Sequence, residues 1–180
     1  MPQETLEWSS TVASTFDATI SRVENDDGNY AVAGSTGQSG TIDFGNMTAS
    51  DIGTINWIRA YYKALATGVK QTIRVGTQFR DSSGGALGSA DIVIVEGPSE
   101  QLYPGTTLYN DGASAWTESS VNDARLVVEF NAIISSGPTE LWIDYIYVVV
   151  DYSEPVIPTP TYDSTVNNVH VLSGNIDITS

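Results

Sequence analysis

The residues of this sequence best suited to chemistry are its carboxylates, 22 Asp and Glu among 180 residues. Hydrolysis of a glycosidic bond needs two of them flanking one bond, with one held protonated by its surroundings. The stretch Glu140-Leu-Trp-Ile-Asp144 comes nearest, but it lacks acids on alternate residues of one strand, and no catalytic pair is expected there. Asp144 also interrupts the longest apolar run, Leu141 to Val150, which is too short to cross a bilayer.

A second acidic feature is Glu24-Asn25-Asp26-Asp27-Gly28-Asn29. Calcium takes six to eight hard oxygen ligands and suits such a set. The spacing of an EF-hand loop is absent, and the same residues are ordinary turn formers, so the segment reads as a turn. His170 is the single histidine and there is no cysteine. A Ser-His-Asp triad would need His170 as its base, placed between Val169 and Val171 far from any rigid core. One histidine without a thiolate also disfavours zinc. Ser82-Ser83-Gly84-Gly85-Ala86-Leu87-Gly88 lacks the Gly-Lys-Ser/Thr ending and the following helix of a phosphate loop, and reads as a hairpin connection. No catalytic residue, metal site or cofactor is expected.

Aromatic side chains offer one binding chemistry. Trp116, Tyr103 and Tyr109 lie near loop signals, where they could stack on sugar rings. Trp8, Trp57 and Trp142 read as anchors of a core or an interface.

The elements that must position these groups are strands. Thr, Ser, Gly, Val, Ile and Tyr are abundant and Lys is scarce, a strand-and-turn composition. In Val69 to Arg80, Val69, Gln71, Ile73, Val75, Thr77 and Phe79 share one face, while Lys70, Thr72, Arg74 and Arg80 share the other. Thr54 to Ala66 precedes it, and Thr67-Gly68 between them is a two-residue turn signal, so 54–80 reads as one long hairpin. Further strands are expected at Asp17–Val23, Tyr30–Ala33, Gly40–Phe44, Asp91–Val95, Arg125–Ile134 and Glu140–Tyr152. The last is apolar on both faces, which places it at the centre of a sheet or against a partner. Thr117 to Asp123 is a short helical turn capped by Thr117. The whole reads as an all-β, antiparallel two-sheet sandwich, jelly-roll-like, over residues 1–152. Ser153-Glu154-Pro155-Val156-Ile157-Pro158-Thr159-Pro160 then reads as a semi-rigid spacer. Val169–Leu172 and Ile176–Thr179 form two terminal strands, which must return to their own sandwich or pair with a neighbouring subunit. The arm of residues 153–180 is expected to assemble through Val169, Val171, Ile176 and Ile178, by pairing with a neighbouring subunit.

The formal net charge is −15, and no Lys or Arg follows Arg125. Self-repulsion of this size opposes contact with nucleic acid or an anionic membrane, and neither is an expected partner. The first residues lack the basic and apolar regions of a secretory leader, so none is expected.

One order of motifs is familiar. Ile55-Asn56-Trp57-Ile58-Arg59-Ala60-Tyr61-Tyr62-Lys63-Ala64 is followed by Trp116-Thr117 with Val121-Asn122. Leu141-Trp142-Ile143-Asp144-Tyr145-Ile146-Tyr147-Val148-Val149-Val150-Asp151-Tyr152 comes last. Over residues 15–152 this order resembles sandwich domains of tailed-bacteriophage and related virion structural proteins. Such domains serve as head decorations, fibres or adaptors. The resemblance implies a non-enzymatic, capsid-associated decoration or adaptor protein, located in the virion and assembled in the host cytoplasm. Its partners would be other virion proteins of capsid or tail and further copies of itself. The alternative is a carbohydrate-binding, lectin-like sandwich that uses Trp116, Tyr103 and Tyr109. A small hydrolase on the same fold is a third reading.

Overall fold

The computed structural model describes residues 1–18, 20–50, 52–68, 72–133, 139–157, 169–172 and 175–178. Ten strands form two antiparallel sheets of five. The first sheet holds β1 (Gln3–Leu6), β3 (Ala31–Ala33), β5 (Thr54–Gly68), β8 (Gln101–Pro104) and β10 (Thr139–Ser153). Here β10 is central, with β5 on one side and β1 and β3 sharing the other; β8 extends the sheet beyond β5. The second sheet runs β2 (Trp8–Ser14), β4 (Ser39–Phe44), β9 (Arg125–Ile133), β6 (Thr72–Arg80) and β7 (Ala86–Glu96).

Chain order and sheet order together give a jelly roll. From β3 to β10 each strand lies in the opposite sheet to the one before it, except β6 and β7, which form a hairpin. The chain therefore wraps around one core instead of folding each sheet separately. This corrects the expected hairpin over 54–80. β5 pairs with β10 and β8, while β6 pairs with β7 and β9, so the chain passes between sheets after Gly68. Val69, Lys70 and Gln71 lie outside the described residues. The alternation read within β6 is present: Ile73, Val75, Thr77 and Phe79 are buried and Arg74 is exposed.

The inner faces meet as alternation requires. Ile58, Ala60, Tyr62 and Ala64 of β5 and Leu141, Ile143, Ile146, Val148 and Val150 of β10 are buried. Ile42, Phe44, Leu126, Val128 and Phe130 are buried from the second sheet. A second correction concerns Asp17–Val23. It contributes one bridge, Ala18 to Val32, and then a 3-10 helix at Ile20–Glu24. Ile20 and Val23, three residues apart, fall on one side of that helix and are both fully buried. Ile20 lies directly against Gly40, where a Cβ would come within 2.7 Å of its Cγ1.

The short helix α1 (Glu118–Asn122) forms where expected. Thr117 caps it, its hydroxyl accepting from the Ser120 amide, and Val121 is buried beneath. β11 (Val169–Leu172) and β12 (Asn175–Ile178) make a separate two-stranded sheet, with Val169 opposite Ile178 and Val171 opposite Ile176.

Candidate functional site

The two longest strands, β5 and β10, run side by side, and their register breaks once near the middle. Ala64 pairs with Ile143 and Lys63 with Tyr145, leaving Asp144 as the extra residue of a β-bulge. A bulge re-aims the side chain it inserts. Ile143 and Asp144 are both buried, Asp144 beneath the turn that carries Gly28, and the alternation resumes in opposite parity with Ile146, Val148 and Val150 inward. This parity change accounts for much of the two-faced apolar pattern in the sequence. The outward set is Trp142, Tyr145, Tyr147 and Val149, all half-buried.

Asp144 is only 1% exposed. Its Oδ1 accepts the Gly28 amide at 2.9 Å. Its Oδ2 has no hydrogen-bond partner among the described residues and lies 3.5 Å from the Lys63 ammonium. Lys63 also pairs with Glu100 at 2.7 Å and with Asp26. Glu100 is carried by the turn before β8, and Asp26 by the acidic turn that leads into β3. Three elements thus bring three acids around one lysine, with oxygens of Asp26, Glu100 and Asp144 within 4.8 Å of one another.

The charges are unequal in standing. Hydrogen bonds from Lys63 hold the Asp26 carboxyl below its ordinary range. Asp144 is pushed the other way, first by burial and then by the neighbouring acids. Both act against its charged form, while the Gly28 amide acts in favour of it. Lys63 is held above its ordinary range by Asp26 and Glu100. Burial, then the hydrogen bond with Glu100, raises the Tyr30 phenol beside them. The second buried acid of β10, Asp151, is satisfied differently. Neutral amides donate to both its oxygens, Gln3 Nε2 at 3.1 Å and Asn56 Nδ2 at 2.8 Å.

Chemically, the cluster is a buried carboxyl, an amine and a carboxylate in contact. A glycosidase pair would need open space for a sugar between its acids. Lys63 fills that space, and Asp144 has almost no exposed surface. A divalent cation shared by the three acids would have to compete with the same ammonium.

The acidic turn and Asp144 were separate features of the sequence, and the structure joins them. Lys63 and Glu100 carried no sequence signal of their own. The available clue was Asp144 itself, because a charge within an apolar strand requires a partner.

The predicted sugar-stacking residues do not form a platform. Trp116 is 3% exposed, and its indole N–H donates to the Leu108 carbonyl at 3.0 Å, so its ring fills the core and cannot stack on a sugar. Tyr103 is half-buried and its hydroxyl is tied to the amide and carbonyl of Glu96. Tyr109 alone is open, at 68% exposure. Aromatic rings do gather on the outer face of the first sheet, where Tyr61 and Tyr147 stack at 5.1 Å and Tyr145 lies beside Tyr147. The Tyr61 and Tyr147 faces cover each other. Tyr145 donates to Glu7, and its phenol is pushed up to about 12, first by burial and then by that hydrogen bond.

Edges of the sandwich matter for assembly. β7 is an eleven-residue edge strand, paired among the described residues only with β6. One end is tied by Gly88 donating to the Asp111 carbonyl and Thr106 donating to Asp91, the other by Tyr103 at Glu96. Between these ties Ile92 and Ile94 point outward, 53% and 38% exposed. Of the expected arm, Val169, Val171, Ile176 and Ile178 fall in the β11–β12 pairing, whereas Pro158 to Pro160 and Thr179 lie outside the described residues.

No protein-family model matches the chain, and no curated protein matches it.

Proposed function

We propose that this chain is a non-enzymatic structural protein of a viral, phage-type particle. It acts as a capsid-associated decoration or adaptor that joins other copies and other virion proteins through its sandwich surface and the segment 153–180. The strand pairing carries this reading. Among the described residues, β11 and β12 hydrogen-bond to each other and to neither sheet of the sandwich. A lone two-stranded hairpin is marginal in water and gains stability by adding to a third strand. The sandwich has a matching feature in β7, whose outward isoleucines are what a protected edge strand avoids. Jelly-roll wrapping is found in viral capsid domains and in lectins. That is an analogy of fold. Between the two, the burial of Trp116 removes a central residue of the sugar-binding alternative.

The test compares the full chain with the chain ending at Tyr152, by size-exclusion chromatography. Loss of a larger species on truncation supports assembly through the arm. Identical elution of both as monomers overturns it.

A further inference from the structure

The lysine cluster holds an unused reaction. We propose that Lys63 and Asp144 condense into an intramolecular isopeptide bond, with Glu100 as the residue that moves the proton. This goes beyond the assembly reading and does not rest on it.

The geometry supplies the three parts. The nucleophile is Lys63 Nζ, on β5. The electrophile is the Asp144 carboxyl, 3.5 Å away at Oδ2 and held in place by the Gly28 amide on its other oxygen. The proton carrier is Glu100, 2.7 Å from the same Nζ. Adjacent strands in fixed register keep the groups together, which replaces an encounter in solution by a unimolecular step.

The bonds balance without a further reactant. Lys63 gives a proton to Glu100 and becomes a free amine. Nζ then bonds to Cγ of protonated Asp144. The Cγ–OH bond breaks as Glu100 passes its proton to the departing hydroxyl, which leaves as water, and Glu100 then takes the second proton from Nζ. Overall an ammonium and a neutral carboxyl become a neutral amide, one water and one proton, which Glu100 carries and releases to solvent. Nothing is oxidised or reduced.

Two features choose Asp144 over Asp26. A carboxylate anion is a poor electrophile and a neutral carboxyl a better one. Asp26 is half exposed and kept ionised by Lys63, whereas burial favours the proton on Asp144. The product also removes an ionisable acid from a buried site, where its charged form is costly. The raised lysine means that the free amine is a minor species. The bond need form only once in each molecule, so a minor species suffices.

The bond is read by intact mass spectrometry of the denatured full chain. The expected mass is one water below that of the sequence, with a branched peptide joining the segments around Lys63 and Asp144 after proteolysis. Lys63→Arg and Asp144→Ala each restore the full mass. Asp144→Asn closes by loss of ammonia and gives the wild-type product mass. Glu100→Gln closes more slowly or not at all. Folded wild-type protein of full sequence mass overturns the proposal, as does a branch at Asp26 instead of Asp144.

Discussion

Lys63 and Asp144 meet because their strands are out of step by one residue. Lys63 is paired with Tyr145, yet its ammonium stands 3.5 Å from the carboxylate of the residue before. In a regular strand the side chain of residue 144 would point away from that of its neighbour Ile143. Asp144 instead faces Lys63 beneath the turn that carries Gly28 and Asp26, and an acid buried there needs a cation. Lys63→Ala leaves Asp144 buried beside two further acids with no positive charge. We expect it to lower the thermal midpoint, and Lys63→Ala with Asp144→Asn to recover part of the loss. A double variant no more stable than the single one would show that charge is not the issue.

Trp116 is expected to act as a core residue. Trp116→Ala should cost about 3–5 kcal/mol in denaturant unfolding, the scale for truncating a large buried aromatic. Trp116→Phe keeps most of the volume and loses the hydrogen bond to Leu108, so about 1 kcal/mol is expected. An alanine variant within about 0.5 kcal/mol of wild type, the scale of a surface change, would contradict the burial.

The 3-10 helix that replaces an expected strand can be tested from the other side of its contact. Gly40→Ala drives a methyl group into Ile20, which is fully buried and cannot swing away. Overpacking of this kind costs about 1–3 kcal/mol. Pairing it with Ile20→Val, which trims the side chain in the way, should return some of that stability.

Acid stability is set in part by two turn aspartates. The Ser83 hydroxyl and the Gly85 amide hold Asp81 below the ordinary value of 3.8. The amides of Ser114 and Ala113 do the same for Asp111. A carboxyl lowered on folding stabilises the fold above its unfolded value, and that contribution is lost as pH falls through the folded one. The thermal midpoint should therefore decline below a pH of about 3.8. Asp81→Asn with Asp111→Asn should make the decline shallower. An unchanged slope would mean that these turns contribute nothing to acid stability.

The sandwich was legible where side-chain period alone decides structure. Ile73, Val75, Thr77 and Phe79 alternate strictly and lie buried as read. Thr117 and Val121 fixed the short helix through capping and one buried contact. Misreadings arose where the outcome depends on distant chain. Thr67-Gly68 reads as a turn, yet both residues continue β5, paired with Glu140 and Thr139, because β10 and β8 occupy both sides of β5 and the next strand joins the other sheet. Ile20 and Val23 suit a strand or a tight helix, and the space beside Gly40 selects the helix. β1 and β2 were not anticipated, because Gln3 to Ser14 is mostly exposed and its alternation is weak. At the site, Asp144 was visible as an anomaly. Its partners come from Lys63, Glu100 and Gly28, none adjacent in sequence, so no local pattern names them.

Ile92 and Ile94 link assembly to the edge of the sandwich. The direct measurement is the molar mass of the intact chain in solution, by light scattering over a range of concentrations. Alongside it runs the variant Ile92→Lys with Ile94→Lys, whose changes lie at exposed positions and leave the core untouched. The wild type is expected to show a mass that is a multiple of the monomer, and the variant a shift towards the monomer. A wild-type chain that remains monomeric at every concentration would contradict assembly.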